Sequence, residues 1–139
     1  MLEIDASQKG LGAALLQDER VIAFASKTLT QTQSNYSNIE REALGLVHGI
    51  QRFHTYLYGR EFTAITDHKP LVNIWQRPLT NAPPRLQRMF LKLQGYSFDL
   101  VYRPGSQMIL SDALLSLPNP ENHRDIQLDM RVDGLDVDD

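Results

Sequence analysis

The sequence predicts an α/β fold: one mixed five-stranded sheet, a three-strand antiparallel meander extended by parallel strands, with helices packed on it. Three observations carry this. Three short apolar stretches near the N-terminus are separated only by a few turn or polar residues, the pattern of strands joined by tight connections. One long stretch then repeats with helical spacing. After it, strand-like and helix-like segments alternate, punctuated by proline and glycine, which implies strands returning in parallel through helical crossovers.

In chain order, Leu2–Ser7 alternates apolar and polar residues, Leu11–Gln17 is apolar and small, and Val21–Ser26 is apolar again. In the stretch Asn35–Gly59, the residues Ile39, Ala43, Leu46, Val47, Ile50, Phe53 and Leu57 form one stripe, and Gly59 supplies a stop. That stretch is the expected central helix. Phe62–Thr66 reads as a strand ending at Asp67, and His68-Lys69-Pro70 turns the chain into a short helical segment, Leu71–Gln76, ended by Pro78. The loop Asn81-Ala82-Pro83-Pro84 leads into a helix with Leu86, Met89, Phe90 and Leu93 on its apolar side, closed by Gly95. Ser97–Arg103 is the fifth strand, Pro104-Gly105 a turn, and Met108–Leu117 a last short helix before Pro118. The boundaries that follow are a folded domain over residues 1–118 and an acidic linker or tail over 119–139, which is poor in large apolar groups.

Composition narrows the chemistry. A chain of 139 residues supports one domain with a proper core, and no apolar run approaches the roughly 18 residues of a membrane span, so no membrane is expected. There is no cysteine, which excludes a disulfide framework, a thiolate nucleophile and a zinc-ribbon site. No targeting signal is seen at the N-terminus. The net charge of −3 conceals an asymmetry: residues 1–118 hold 12 basic and 10 acidic side chains, and residues 119–139 hold 2 and 7. A mildly basic body can bind phosphates, though weakly and with strong salt dependence, so tight binding calls for a neighbouring domain.

Four acids stand where buried elements begin or end: Asp5 in the first strand, Glu42 on the central helix, Asp67 after the fourth strand and Asp112 on the last helix. A carboxylate in such a place costs several kcal/mol unless it is paired, hydrogen-bonded or bound to a cation. No dedicated lysine or arginine is evident for each. Four converging carboxylates make a site for hard divalent cations, with Mg²⁺ the natural occupant. Helical geometry does not choose between Glu40 and Glu42, which lie on opposite flanks of the stripe.

The motifs Asp5-Ala6-Ser7 with Gly10-Leu11-Gly12-Ala13, Asn35-Tyr36-Ser37 with Glu40-Arg41-Glu42, Thr66-Asp67-His68-Lys69-Pro70-Leu71, Tyr102-Arg103-Pro104-Gly105 and Ser111-Asp112-Ala113-Leu114 occur in that order. Taken together over residues 2–118, they resemble the ribonuclease H domain of gypsy-type long-terminal-repeat retrotransposons. The resemblance implies a ribonuclease H-like fold and an endonuclease that hydrolyses the RNA strand of RNA–DNA hybrids during reverse transcription. It implies two Mg²⁺ ions, with Mn²⁺ as substitute, held by Asp5, Glu42, Asp67 and Asp112, and it prefers Glu42 to Glu40. It also implies a covalently linked polymerase domain upstream, an integrase downstream and an intracellular setting.

Selecting a hybrid requires reading 2′-hydroxyls across a shallow minor groove. Ser7, Gln8, Gly10 and Gly12 next to Asp5 are candidates for that contact, the glycines serving equally as close-packing positions. Asn35, Tyr36 and Ser37 would cap the central helix, whose N-terminus attracts phosphate. His68 is a candidate for positioning phosphate or water, and Arg85, Arg88 and Lys92 for contacting the DNA strand. His48 is placed on the polar side of its helix and His54 near the stripe; Trp75 and Phe90 read as core.

One motif departs from the family. Where Ala-Asp-Ala-Leu-Ser-Arg-Leu-Pro is usual, this chain has Ser111-Asp112-Ala113-Leu114-Leu115-Ser116-Leu117-Pro118, which keeps the acid and displaces the arginine. The alternative reading is a non-catalytic spacer or interaction domain of a decayed or domesticated element.

Overall fold

In a computed structural model, residues 1–110 are described. The last predicted helix beyond Leu110, Asp112, the boundary at Pro118 and the tail 119–139 lie outside these residues. Strands β1 (Leu2–Ala6), β2 (Gly10–Gln17) and β3 (Arg20–Thr28) are followed by helices α1 (Gln31–Ser34), α2 (Asn38–Arg52) and α3 (His54–Leu57). Strand β4 (Glu61–Thr66), helices α4 (Lys69–Trp75) and α5 (Pro84–Leu91) and strand β5 (Ser97–Tyr102) complete the order.

The five strands form one sheet in the order β3-β2-β1-β4-β5. The β1–β2 and β2–β3 pairs are antiparallel, and β1–β4 and β4–β5 are parallel, as the meander and crossovers required. Asp18 and Glu19 both take positive φ, 53° and 62°, in the two-residue connection between β2 and β3. Two left-handed residues match the twist of a tight hairpin, here achieved without glycine.

The predicted stripe is the buried face of α2: Ala43, Leu46, Val47, Ile50 and Phe53 are all buried, and Leu57 continues the same core from α3. The expected single helix over Asn35–Gly59 is shorter at both ends. Ser37 caps α2 by accepting from Glu40 N–H, while the Glu40 carboxylate accepts from Ser37 N–H, so the helix starts after it. Asn35 instead ends α1, a turn with its own capping box from Thr30 and Gln33 that the sequence reading did not separate. At the other end the chain leaves α2 at Phe53 (φ −105°, ψ 32°) and restarts as α3, so the apolar repeat continues across a break in the helix. Gly59, at φ 83°, lies beyond α3.

Two glycines set the distance between α2 and the sheet. A Cβ on Gly49 would stand 3.0 Å from the Ala13 Cβ and 3.2 Å from the Ile4 Cγ2, and one on Gly45 would stand 3.4 Å from the Asp5 carbonyl oxygen. The helix therefore lies directly on β1 and β2. Trp75 stacks on Phe98 and meets Phe90 edge-on, extending the core between α4, α5 and β5. A smaller cluster of Ala14, Leu16, Phe24 and Leu110 forms separately from that main core.

Candidate active site

The C-terminal ends of β1 and β4 are neighbours because the two strands run parallel, with Leu2 opposite Ala64 and Glu3 opposite Ile65. Asp5 and Asp67 therefore emerge side by side. Helix α2 runs over the same end, and its first turns bring Glu42 onto them. One carboxylate oxygen from each of Asp5, Glu42 and Asp67 lies within 4.8 Å of the others. Asp67 is exposed, Asp5 partly so, and Glu42 is buried at 4% exposure.

Hydrogen bonds fix the cluster from behind. The buried Thr66 hydroxyl donates to Glu42 Oε2 at 2.7 Å and accepts from His68 N–H at 3.1 Å, tying the helix acid to the turn that carries Asp67. Asp5 Oδ1 accepts from Ala6 N–H at 2.9 Å. Burial pushes the Glu42 carboxyl up to about 8; the Thr66 bond opposes this, and the charges of Asp67 and Asp5 reinforce it. Burial and then the Asp67 charge raise Asp5 as well, against its Ala6 hydrogen bond. Such a group of like charges is held in one place at a cost, and a bound cation would relieve it. The donor set is all oxygen with two members open to solvent, which fits Mg²⁺ or Mn²⁺.

Glu40, the residue that helical geometry left equal with Glu42, is occupied elsewhere. Besides the capping box it meets Arg85 Nη1 at 3.3 Å. The Arg85 guanidinium also lies 4.3 Å from the centre of the Tyr36 ring. Arg85 thus ties α5 to the start of α2 through two side chains of that region, while Arg88 and Lys92 are exposed on α5 and just after it. Ser7 shapes the β1–β2 connection, its hydroxyl oxygen accepting from Lys9 and Gly10 N–H at 3.1 and 3.2 Å; Gln8 is exposed there.

A cavity of about 190 Å³ opens between that connection and Phe24, Ser26 and Leu110, with Asp5, Gly10 and Gly12 in its wall. Gly10 answers a packing need, since a Cβ there would come within 2.9 Å of the Lys27 carbonyl oxygen. Gly12, opposite Asp5 in the ladder, would among the described residues meet the Leu110 side chain, at 3.7 Å.

His68 follows the acid turn and is half-buried, with burial lowering its pKa against the pull of Asp67. His54 Nδ1 is 2.6 Å from the Tyr96 hydroxyl and packs in an aromatic group with Tyr58. His48 was placed on the polar side of its helix; the structure corrects this. It is largely enclosed, and burial, helped by Lys27 and Arg52, lowers its pKa to about 4. Its Nε2 is buried, and Lys27 and Arg52 are near enough for their charges to act on the ring.

Two residues at the site are not singled out as contributors by the sequence: Thr66 and Gly105. Thr66 was visible only as part of a motif. Gly105 follows β5, and a Cβ on it would stand 2.9 Å from Asp67 Oδ2, so the absence of a side chain leaves room for that carboxylate. Glu3 is fully buried in β1, two residues from Asp5.

Comparison with known proteins decides the family. Residues 1–96 match the family described as the RNase H-like domain found in reverse transcriptase. The chain belongs to this family. Across 123 residues it is 38% identical to the retrovirus-related Pol polyprotein from transposon 297 of Drosophila melanogaster, covering 88% of this chain and 11% of that protein. Similarity to the Pol polyprotein from transposon opus of the same fly is 35% over 133 residues, 92% of this chain and 13% of that one. The RNase H-like chain thus spans about a tenth of the length of these Pol polyproteins. Among solved structures, RNase H1 of Halobacterium salinarum NRC-1 superposes with a TM-score of 0.61 at 16% identity, over 81% of this chain and 91% of that one. LC11-RNase H1, solved with an RNA/DNA hybrid, gives 0.60 at 13% identity, over 82% and 93%. These two likenesses establish the ribonuclease H fold. Among the described residues no helix is long and apolar enough to cross a membrane.

Proposed function

We propose that this RNase H-like domain is a nuclease that hydrolyses the RNA strand of RNA–DNA hybrids within a retrotransposon Pol polyprotein, acting beside a linked polymerase domain. The observation that carries the reading is the meeting of Asp5, Glu42 and Asp67 at the open end of the sheet, with a buried member that ordinary solvation cannot support. Asp112, outside the described residues, is the proposed fourth ligand. Two Mg²⁺ ions held by these acids would supply an activated water and stabilise the charge on the phosphate and the leaving 3′ oxygen.

The chain's own part follows from the geometry. Thr66 keeps Glu42 aimed at the cluster and favours its ionised form. Asp5 and Asp67, open to solvent, leave one side of the cluster accessible to a phosphodiester. The cavity beside Asp5, with Ser7 and Gly12 in its wall and Gln8 exposed in the same β1–β2 connection, suits contact with a sugar edge, and His68 stands beside Asp67 to orient a phosphate oxygen or a proton-bearing water. Ser37 caps the phosphate-attracting start of α2, with Asn35 and Tyr36 in the turn before it, and Arg88 with Arg85 would form the flank for the DNA strand. The LC11 relative's complex with an RNA/DNA hybrid supports that substrate class.

The test is a labelled RNA–DNA hybrid with Mg²⁺ or Mn²⁺, alongside duplex DNA and Asp67→Asn. Metal-dependent loss of RNA from the hybrid only, abolished by the substitution, is the expected result. Silence that persists after the upstream polymerase domain is joined would favour a non-catalytic domain of the same fold.

A further inference from the structure

The chain from His68 to Phe98 carries Lys69, Arg77, Arg85, Arg88 and Lys92 and no aspartate or glutamate. Three of these cations lie on α5 or, as Lys92, at its C-terminal cap. Like charges three or four residues apart on a helix repel, so such a face calls for a counter-charge from elsewhere.

The structure divides the three. Arg85 stands in the first turn of α5, where the helix dipole disfavours a cation, and is compensated from α2. Glu40 Oε2 lies 3.3 Å from its Nη1, and its guanidinium covers the Tyr36 ring at 4.3 Å. The charge of Arg85 is thus balanced within the fold. The same pair fastens the start of α5 to the first turn of α2, two residues before Glu42, so α5 begins beside the acid cluster.

Arg88 and Lys92 differ. Both are exposed, and among the described residues neither has an ion-pair partner. They occupy the last turn and the cap, where the dipole accepts a cation without neutralising it. Four residues apart, they share one side of the helix at about 6 Å of rise. Buried Leu86, Met89 and Phe90 hold the other side against the core, so the two cations stay turned to solvent. One strand of a duplex offers a phosphate about every 3.4 Å of its axis, which lets both cations reach the same strand.

We infer that Arg88 and Lys92 contact the backbone phosphates of the DNA strand, and that Arg85 is a positioning residue whose pairing with Glu40 sets α5 beside the acids. The inference rests on the proposed hybrid substrate, whose RNA strand lies on the acid cluster and leaves the other strand for this flank.

The test is binding of a fluorescent RNA–DNA hybrid to the full chain by anisotropy, in chelator so that nothing is cut, from about 25 to 200 mM NaCl. Arg88→Gln and Lys92→Gln should each lower the slope of log affinity against log salt by about 0.9, and the double variant by about twice that. Both side chains are exposed and unpaired among the described residues, so melting temperatures should stay those of the wild type. Glu40→Gln combined with Arg85→Gln removes the balanced pair but keeps a capping-box residue, and should leave the slope unchanged. A slope unaltered in the Arg88→Gln/Lys92→Gln variant, or lowered as much by the Glu40/Arg85 double substitution, overturns the inference. So does a wild type that fails to bind at the lowest salt. Neutral methylphosphonate linkages in the DNA strand should abolish the difference between wild type and the Arg88/Lys92 variant; a difference that survives them overturns the assignment to that strand. Binding with these slopes but no cleavage once Mn²⁺ is supplied would sink the nuclease reading alone.

Discussion

Glu42→Gln should make the metal-free protein more stable at neutral pH, although it removes a member of the site. Burial raises the Glu42 carboxyl from 4.5 to about 8. Between those values the folded protein holds a proton that the unfolded chain has released. Its stabilising contribution is thus complete below pH 4.5 and is lost as pH rises through about 8. With roughly 1.4 kcal/mol per pH unit inside that window, going from pH 5 to pH 7 should cost about 3 kcal/mol of folding stability. Glutamine has nearly the same shape, can still accept from the Thr66 hydroxyl and has no proton to lose. Asp5, also raised, adds a loss of the same sign that both proteins share. The assay is urea unfolding at pH 5, 6, 7 and 8 in chelator. His48, lowered to about 4, adds a gain with rising pH up to about 6.5 that both proteins share, so the expected result is a wild-type midpoint that falls steadily relative to that of Glu42→Gln across the series. Added Mg²⁺ should restore the wild type at pH 7, because metal binds the ionised acid, and should leave the variant unchanged. A difference between the two proteins that stays constant from pH 5 to 8 would refute the reasoning.

Two further substitutions test how the cluster is supported. Thr66→Val removes the donor to Glu42 and the acceptor for His68 N–H, so it should cost about 1–2 kcal/mol in urea unfolding. It should also shift Mn²⁺ binding to higher pH, since the lost bond favoured the ionised Glu42; binding at an unchanged pH would count against that role. Gly105→Ala places a methyl group 2.9 Å from Asp67 Oδ2, so titration calorimetry should show weakened Mg²⁺ binding with little change in melting temperature, and unchanged affinity would mean Asp67 has room to move.

The sheet and its order were legible because each strand is short, apolar and bounded by turn residues, and because one stripe runs through α2. The break at Phe53 was not, because the apolar repeat carries on from α2 into α3 although the backbone does not. Asp5, Glu42 and Asp67 stood out as acids in apolar surroundings, and the structure brings them together. Choosing Glu42 over Glu40 needed family resemblance, since the difference lies in the Ser37 capping box and in Arg85, a residue on another helix. Glu3 could have been found by the same argument that found Asp5, as a carboxylate between Leu2 and Ile4 in a strand. Its partners, though, are backbone N–H groups at Ile109 and Leu110, which no side-chain pattern advertises. Thr66 and Gly105 act through a hydroxyl and through empty space, and neither leaves a periodic trace.

The parallel pairing of β1 with β4 has a consequence for how the domain comes into being. Asp5 is made early in synthesis, but its neighbour Asp67 reaches it only when β4 has docked along β1, after α1, α2 and α3 have been traversed. Closing so long a loop is entropically unfavourable until the sheet rewards it. A nascent or proteolytically trimmed chain holding only the N-terminal meander and α2 therefore has two of the three described acids and no centre. The divalent-cation affinity proposed for this centre would consequently gauge completed folding, absent from the hairpin stage and gained in one step as the two halves of the sheet join.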